Sequence, residues 1–134
     1  MNKRCFAEVA TKMKKSPADP REIQELLPLS PAVYHVLLAL GGRTLHGYAI
    51  MQAFDDLIRG AERLLPGTLY ATLARMVETG LIEEVPPPEP DADQRRRYYR
   101  TTGFGRAVAA AESERLRRLL AVAVAQNVVP GGTT

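Results

Sequence analysis

The segment Gly42-Arg43-Thr44-Leu45-His46-Gly47 carries two glycines at the separation of a phosphate-binding loop. In such a loop a lysine follows the second glycine and reaches the terminal phosphates; here Tyr48 stands in its place. Other catalytic constellations fail as well. The histidines are His35 and His46 and the one cysteine is Cys5, so HExxH and CxxC are absent, as is GxSxG. Asp91 and Asp93 begin like a calcium loop, but the glycine at the sixth position and the closing glutamate are missing. The sequence therefore predicts no enzyme, no cofactor and no metal site. His35 lies between apolar neighbours, where a satisfied, partly buried histidine is the commoner outcome than a ligand.

What remains is the chemistry of recognition. In LLPGTLYATLARMVETGLI, residues 64–82, Leu69, Leu73, Met76 and Val77 recur at helical spacing and predict a core-facing side. The opposite side carries Thr68, Ala71, Thr72, Arg75 and Thr79, with Tyr70 at its flank. Small residues let a helix approach base edges, threonine bonds to a base or a phosphate, and arginine prefers guanine O6 and N7. Free N–H groups at the helix start favour a phosphate. The same threonines would also suit plain solvent exposure. Arg75 and Glu78 leave this helix formally neutral, so attraction to phosphate must come from elsewhere. Arg95, Arg96, Arg97 and Arg100 are the best source, and the N-terminal lysines come next. Glu89, Asp91 and Asp93 would be repelled by DNA, so the root of this arginine-bearing segment, not its tip, should approach the backbone.

These residues need elements to position them. The 134 residues suit one domain able to bury its own core, and a net charge of +3 permits an anionic partner without requiring one. One cysteine excludes an internal disulfide and suits the cytoplasm. The N-terminus has the charge of a signal peptide without its apolar run, and the apolar run Leu119 to Ala125 is too short to span a bilayer, so no membrane partner is expected. Residues 2–15 can form a basic helix with Phe6, Val9 and Met13 on one face. It is either a solvated face packed on the domain or an arm that touches phosphates or a partner subunit.

Ser16-Pro17-Ala18-Asp19-Pro20 breaks that helix. Ser30 and Pro31 then open a helix carrying Val33, Val36, Leu37 and Leu40, which ends at Gly41-Gly42. A second helix runs from near Leu45 to Ile58 and stops at Gly60; the third spans Pro66 to Thr79 and stops at Gly80. LIEEVP and RRRYYRTT read as two strands around the polar loop PPPEPDADQ, a hairpin. Residues 104–128 form the longest helix, with Val108, Ala111, Leu116, Leu119, Leu120 and Ala123 along one side. Beyond Leu119 it is apolar nearly all round, so a second copy of the chain is its simplest cover.

The order is that of a mainly α chain with a small β-hairpin: a winged helix-turn-helix plus a long C-terminal dimerisation helix. The division is an N-terminal extension at 1–28, a winged-helix domain at 29–103, the dimerisation helix at 104–128 and a flexible tail at 129–134. In helix-turn-helix proteins the second helix of the motif, here the third of the domain, enters the major groove. The candidate DNA-binding set is Thr68, Tyr70, Thr72, Arg75, Arg95, Arg96 and Arg97; the candidate dimerisation set is Val108, Leu116, Leu119, Leu120 and Ala123.

LHGYAI (45–50), PGTLYATLARMVETGLI (66–82) and RRRYYRTTGFGR (95–106) resemble the PadR family of bacterial transcriptional regulators. The similarity runs in order from about Leu29 to Arg106. It implies a homodimeric winged-helix repressor whose last helix pairs with its counterpart and whose helix bearing Thr68, Tyr70 and Thr72 faces double-stranded operator DNA. It further implies that Tyr99 faces the core with Tyr98 on the other strand face, and that Gly47 allows close packing. The chain departs from the family where serine usually precedes PGTLY, since Leu65 stands there and a capping oxygen is lost. It also has no tryptophan, so the binding of flat aromatic compounds between tryptophans at a dimer interface does not carry over. An unknown small-molecule effector between the C-terminal helices stays open, as does a winged-helix protein-interaction module that binds no DNA.

Overall fold

The computed structural model describes residues 19–58 and 66–130. The basic helix expected at 2–15, Cys5, the Gly60 stop, the cap lost at Leu65 and the last four residues lie outside the described residues.

The first described helix, α1 (Pro20–Leu26), was not anticipated from the sequence. The run Ser16 to Pro20 reads as a breaker, but its last proline occupies the first helical turn, where a missing N–H costs nothing. Asp19 caps it, its carboxylate accepting from the Arg21 N–H at 3.0 Å, and Ile23 is its buried residue. α2 (Pro31–Leu40) begins as the sequence predicts: the Ser30 hydroxyl accepts from the Val33 N–H at 3.3 Å with Pro31 in the first turn. It ends at Gly41, whose φ of 55° sends the chain back over the helix end.

Two residues that the sequence reading assigned to the next helix form a strand instead. β1 (Leu45–His46) pairs antiparallel with β3 (Tyr98–Thr101), Leu45 opposite Tyr99 and His46 opposite Tyr98. β2 (Ile82–Val85) lies on the other side of β3, with Ile82 opposite Thr101 and Glu84 opposite Tyr99. The hairpin is therefore two-thirds of a three-stranded sheet in the order β1-β3-β2. A two-residue strand has no periodicity to read; only its partner reveals it.

α3 (Gly47–Ile58) and α4 (Pro66–Glu78) complete the three-helix set with α2. Val36 and Leu40 of α2, Ile50 and Phe54 of α3, and Leu69, Leu73 and Met76 of α4 meet with Ile82 in a core closed to solvent. His35 stacks on Phe54 with ring centroids 4.5 Å apart.

α5 (Gly103–Ala125) grows directly out of the sheet. Thr102 caps it, the hydroxyl accepting from the Gly105 N–H at 2.9 Å, while the Thr102 N–H donates to the Leu81 carbonyl at 3.1 Å. A side chain on Gly105 would strike that same Leu81 carbonyl, so glycine is what lets the helix pack on the start of β2. Val108, expected at the dimer seam, is fully buried in the domain core instead. The helix is held to α1 and α2 over its first half, and that contact consumes Val108. Buried Glu112 forms a bidentate pair with Arg115 at 2.7 and 2.8 Å, and Tyr34 meets Ser113 at 2.7 Å. Past that point the helix leaves the domain: Leu116, Leu119 and Leu120 are exposed and Ala123 is half-buried. It ends at Ala125, short of the expected residue 128, because Asn127 adopts a φ of 60° and the Val128 N–H returns to the Ala123 carbonyl at 3.0 Å.

Candidate nucleic-acid interface

α4 is defined by its two ends. Pro66 enters at the first turn, and Gly80, with a φ of 82°, stops it. The Leu81 N–H then donates to the Met76 carbonyl at 2.9 Å, which satisfies one of the carbonyls a helix end leaves open. Between the ends, Leu69, Thr72, Leu73 and Met76 are buried. This corrects the sequence reading in two places. Thr72, placed on the reading face, lies inside; Val77, placed in the core, is 39% exposed. The helix wedges between α2, α3 and β2, so its buried arc is centred between Leu69 and Met76 and takes in position 72 rather than 77. Residue 72 lies 60° from 69 and 40° from 76 on a helical wheel, and threonine is small enough to fit there.

The exposed arc has two edges. Thr68 and Arg75, two turns apart, run along one. Tyr70, Ala74 and Val77 run along the other and face the sheet. Arg75 is exposed and, among the described residues, has no ionic partner. Tyr70 is 54% exposed and lies over Gly47, so closely that a Cβ at Gly47 would be 2.8 Å from its ring. The close packing expected of Gly47 is thus a contact with Tyr70.

Between Tyr70 and the hairpin lies an open cleft of about 590 Å³. Ala74 and Val77 of α4, Glu84 of β2, Tyr99 of β3, and Arg96 and Arg97 just before β3 line it. The arginine run is not strand, as the sequence reading had it, since β3 begins only at Tyr98. The Asp93 carboxylate accepts from the Arg95 N–H at 2.9 Å and the Arg96 N–H donates to the Asp93 carbonyl at 3.3 Å, which turns the chain before pairing starts. Asp93 therefore builds the turn that precedes β3. That N–H, ahead of its two arginine neighbours, holds its carboxyl below the usual range.

Each hairpin arginine has an acidic neighbour. Arg95 and Arg96 lie 3.5 and 3.3 Å from Asp93, Arg97 lies 3.9 Å from Glu84, and Arg100 donates to Glu83 at 2.8 Å. All are at the surface, where such pairs are weak and exchange readily. Arg96 also reaches across to His46, 3.0 Å from Nδ1. Nδ1 already accepts from the Ala49 N–H at 3.2 Å, which makes it the unprotonated nitrogen and His46 the cap of α3. Burial, and after it the charge of Arg96, holds the His46 pKa below its ordinary value. Its ring meets Tyr98 edge-on at 5.5 Å, so Tyr98 is buried on its own face, as Tyr99 is on the core face.

Sequence reasoning thus located the helix and the arginines. It missed the parts of His46, Tyr48, Val77 and Glu84 in the cleft, because these residues come from β1, α3, α4 and β2, which meet there only in the folded chain. The only sequence signal was the adjacency of His46 and Tyr48 to Gly47 within the LHGYAI motif.

The Transcriptional regulator PadR-like family matches residues 36–111, more than half of the chain and all of α3, α4 and the sheet. Among solved structures, a PadR family transcription regulator from hypervirulent Clostridium difficile R20291 is 24% identical with a TM-score of 0.60, over 70% of this chain and 95% of that one. A transcriptional regulator from Clostridium thermocellum is 23% identical with a TM-score of 0.57, over 68% and 84%. A PadR family transcriptional regulator from Eggerthella lenta DSM 2243 is 22% identical with a TM-score of 0.54, over 93% and 96%. At this identity these structures bear on the fold: a winged helix followed by a C-terminal helix. No curated protein matches the chain. No single helix among the described residues is long and apolar enough to cross a membrane.

Proposed function

This chain belongs to the PadR-like family of transcriptional regulators, and on that premise we propose that it binds operator DNA as a homodimer and acts as a repressor. The observation that carries the reading is the exposed arc of α4, with Thr68 and Arg75 on one edge and Tyr70 on the other, the Tyr70 edge sharing a cleft with Arg96 and Arg97. In this reading α4 enters the major groove, Arg75 reads a base and the three wing arginines hold phosphates. Thr72 supports the helix from inside and touches no DNA. The dimer forms through Leu116, Leu119, Leu120 and Ala123 of α5, where the chain leaves large apolar side chains in water. A dimer of this kind addresses half-sites about 34–36 Å apart. The division into a winged-helix domain at 29–103 and a dimerisation helix at 104–128 belongs to the same proposal, with α5 serving the domain core in its first half.

The test is duplex binding across a salt series, which phosphate-dominated association must weaken. Arg75→Ala should cost about 1–3 kcal/mol on operator DNA alone. Neutralising Arg95, Arg96 and Arg97 together should weaken operator and random DNA alike and flatten the salt slope. Equal effects of the two changes on both duplexes would refute the division of roles. A protein-interaction module without DNA binding is favoured by one observation: between Ile82 and Thr101 five carboxylates stand against four arginines. Absence of duplex binding even at low salt would support that alternative.

A further inference from the structure

Of the carboxylates beside the wing arginines, Glu84 alone lies in the cleft and serves no backbone group. Asp93 builds the turn, and Glu83, one residue earlier, points to the other strand face, where it holds Arg100. Glu84 sits opposite Tyr99 in the sheet, across the cleft from Val77 and Tyr70 of α4. Its carboxylate is 3.9 Å from the Arg97 guanidinium, with the two side chains 48% and 75% exposed. Strand pairing and core packing need no charge at this position. Its charge is nonetheless felt inside the cleft: burial first and Glu84 second push the Tyr99 phenol up.

From this placement we propose that Glu84 is a built-in competitor of phosphate, which occupies Arg97 beside the reading helix and lowers the affinity of the protein for DNA backbone. The proposal rests on the DNA-binding reading above. A phosphate that approaches Arg97 must displace Glu84 and then remain beside a carboxylate. One of the two positive charges of the cleft wall, Arg96 and Arg97, is thereby offset. Weak hold on the backbone leaves base contacts from α4 to decide where the protein stays, since backbone contacts carry no sequence information. The pair is loose and exposed, so the exchange is reversible and salt-dependent.

The experiment titrates full-length protein into a fluorescent random-sequence duplex at a series of salt concentrations. Glu84→Gln keeps the side-chain shape and removes the charge. It should tighten binding roughly two- to fivefold at low salt and steepen the salt slope by up to about one. In an Arg97→Gln background the same substitution should do much less. Urea unfolding midpoints confirm that the variants are folded. Unchanged or weaker binding by Glu84→Gln overturns the proposal, as does an equal gain without Arg97, which would reflect overall charge only. Wild-type protein that binds no duplex at low salt refutes the DNA-binding reading itself, a result distinct from either of these.

Discussion

Replacing Gly47 with alanine tests whether Tyr70 is positioned by the start of α3. The added methyl would stand 2.8 Å from one ring carbon of Tyr70, 3.0 Å from its hydroxyl oxygen and 3.1 Å from the carbon that bears it. Such a gap does not persist, so one group must move. Tyr70 is 54% exposed and free to change rotamer, whereas Gly47 is buried in the first turn of a helix. The ring is therefore what moves. Gly47 does not have a positive φ, so alanine suits the backbone and contributes up to about 1 kcal/mol of helix preference. That gain offsets the lost ring contact, and unfolding free energy should change by less than about 1 kcal/mol. Operator affinity should fall, by about 1 kcal/mol if the Tyr70 hydroxyl makes one hydrogen bond to DNA, or roughly fivefold in Kd. Fluorescence anisotropy on operator duplex, paired with urea unfolding, measures both quantities. The control is Tyr70→Ala: with no ring to displace, Gly47→Ala should leave affinity unchanged and raise stability slightly. If Gly47→Ala weakens binding equally in both backgrounds, the contact with Tyr70 is not the route and the reasoning fails.

Three further outcomes are expected. Gly105→Ala should destabilise by about 1–3 kcal/mol in urea unfolding, since its methyl meets the Leu81 backbone rather than a side chain that can swing away; a neutral result would mean that α5 can shift on the sheet. Glu112→Gln should cost roughly 1.5–3 kcal/mol, because it removes the charge from two hydrogen bonds to Arg115 at a buried site. Those bonds, before any other cause, hold the Glu112 pKa below its ordinary value of 4.5, so its contribution is full above that value and is lost as pH falls through the lower, folded one. Wild-type and Glu112→Gln unfolding curves should therefore converge in acid. His46 behaves similarly at higher pH: its folded pKa lies below 6.5, so the stability from its cap of α3 is complete above 6.5 and is lost as pH falls through the folded value. Urea midpoints of wild type and His46→Gln at pH 7.5 and 5.5 check this, and an identical pH dependence in the two proteins would sink the assignment.

The sequence alone determined the elements whose signals are local. Ser30 with Pro31, and Pro66 with Gly80, mark helix ends because caps, prolines and positive-φ glycines act within a few residues. The apolar spacing of Leu69, Leu73 and Met76 likewise needs no partner to be read. The PGTLY and YYR segments were enough to indicate the family. α1 was missed because a proline that starts a helix and one that breaks it look alike until the cap is seen.

What the tertiary structure decided is which face each element turns inward and what each charge meets. Thr72 and Val77 exchanged places because the buried arc of α4 is set by α2, α3 and β2 together, and a rotation of well under one turn moves a residue across its edge. Val108 went to the core rather than the dimer seam because the first half of α5 lies against the domain. β1, with too few residues for a period, exists only through β3. The run of arginines reads as free positive charge along the chain. Folding brings Glu83 and Glu84 beside it, and those ion pairs form across strands that no local pattern encodes.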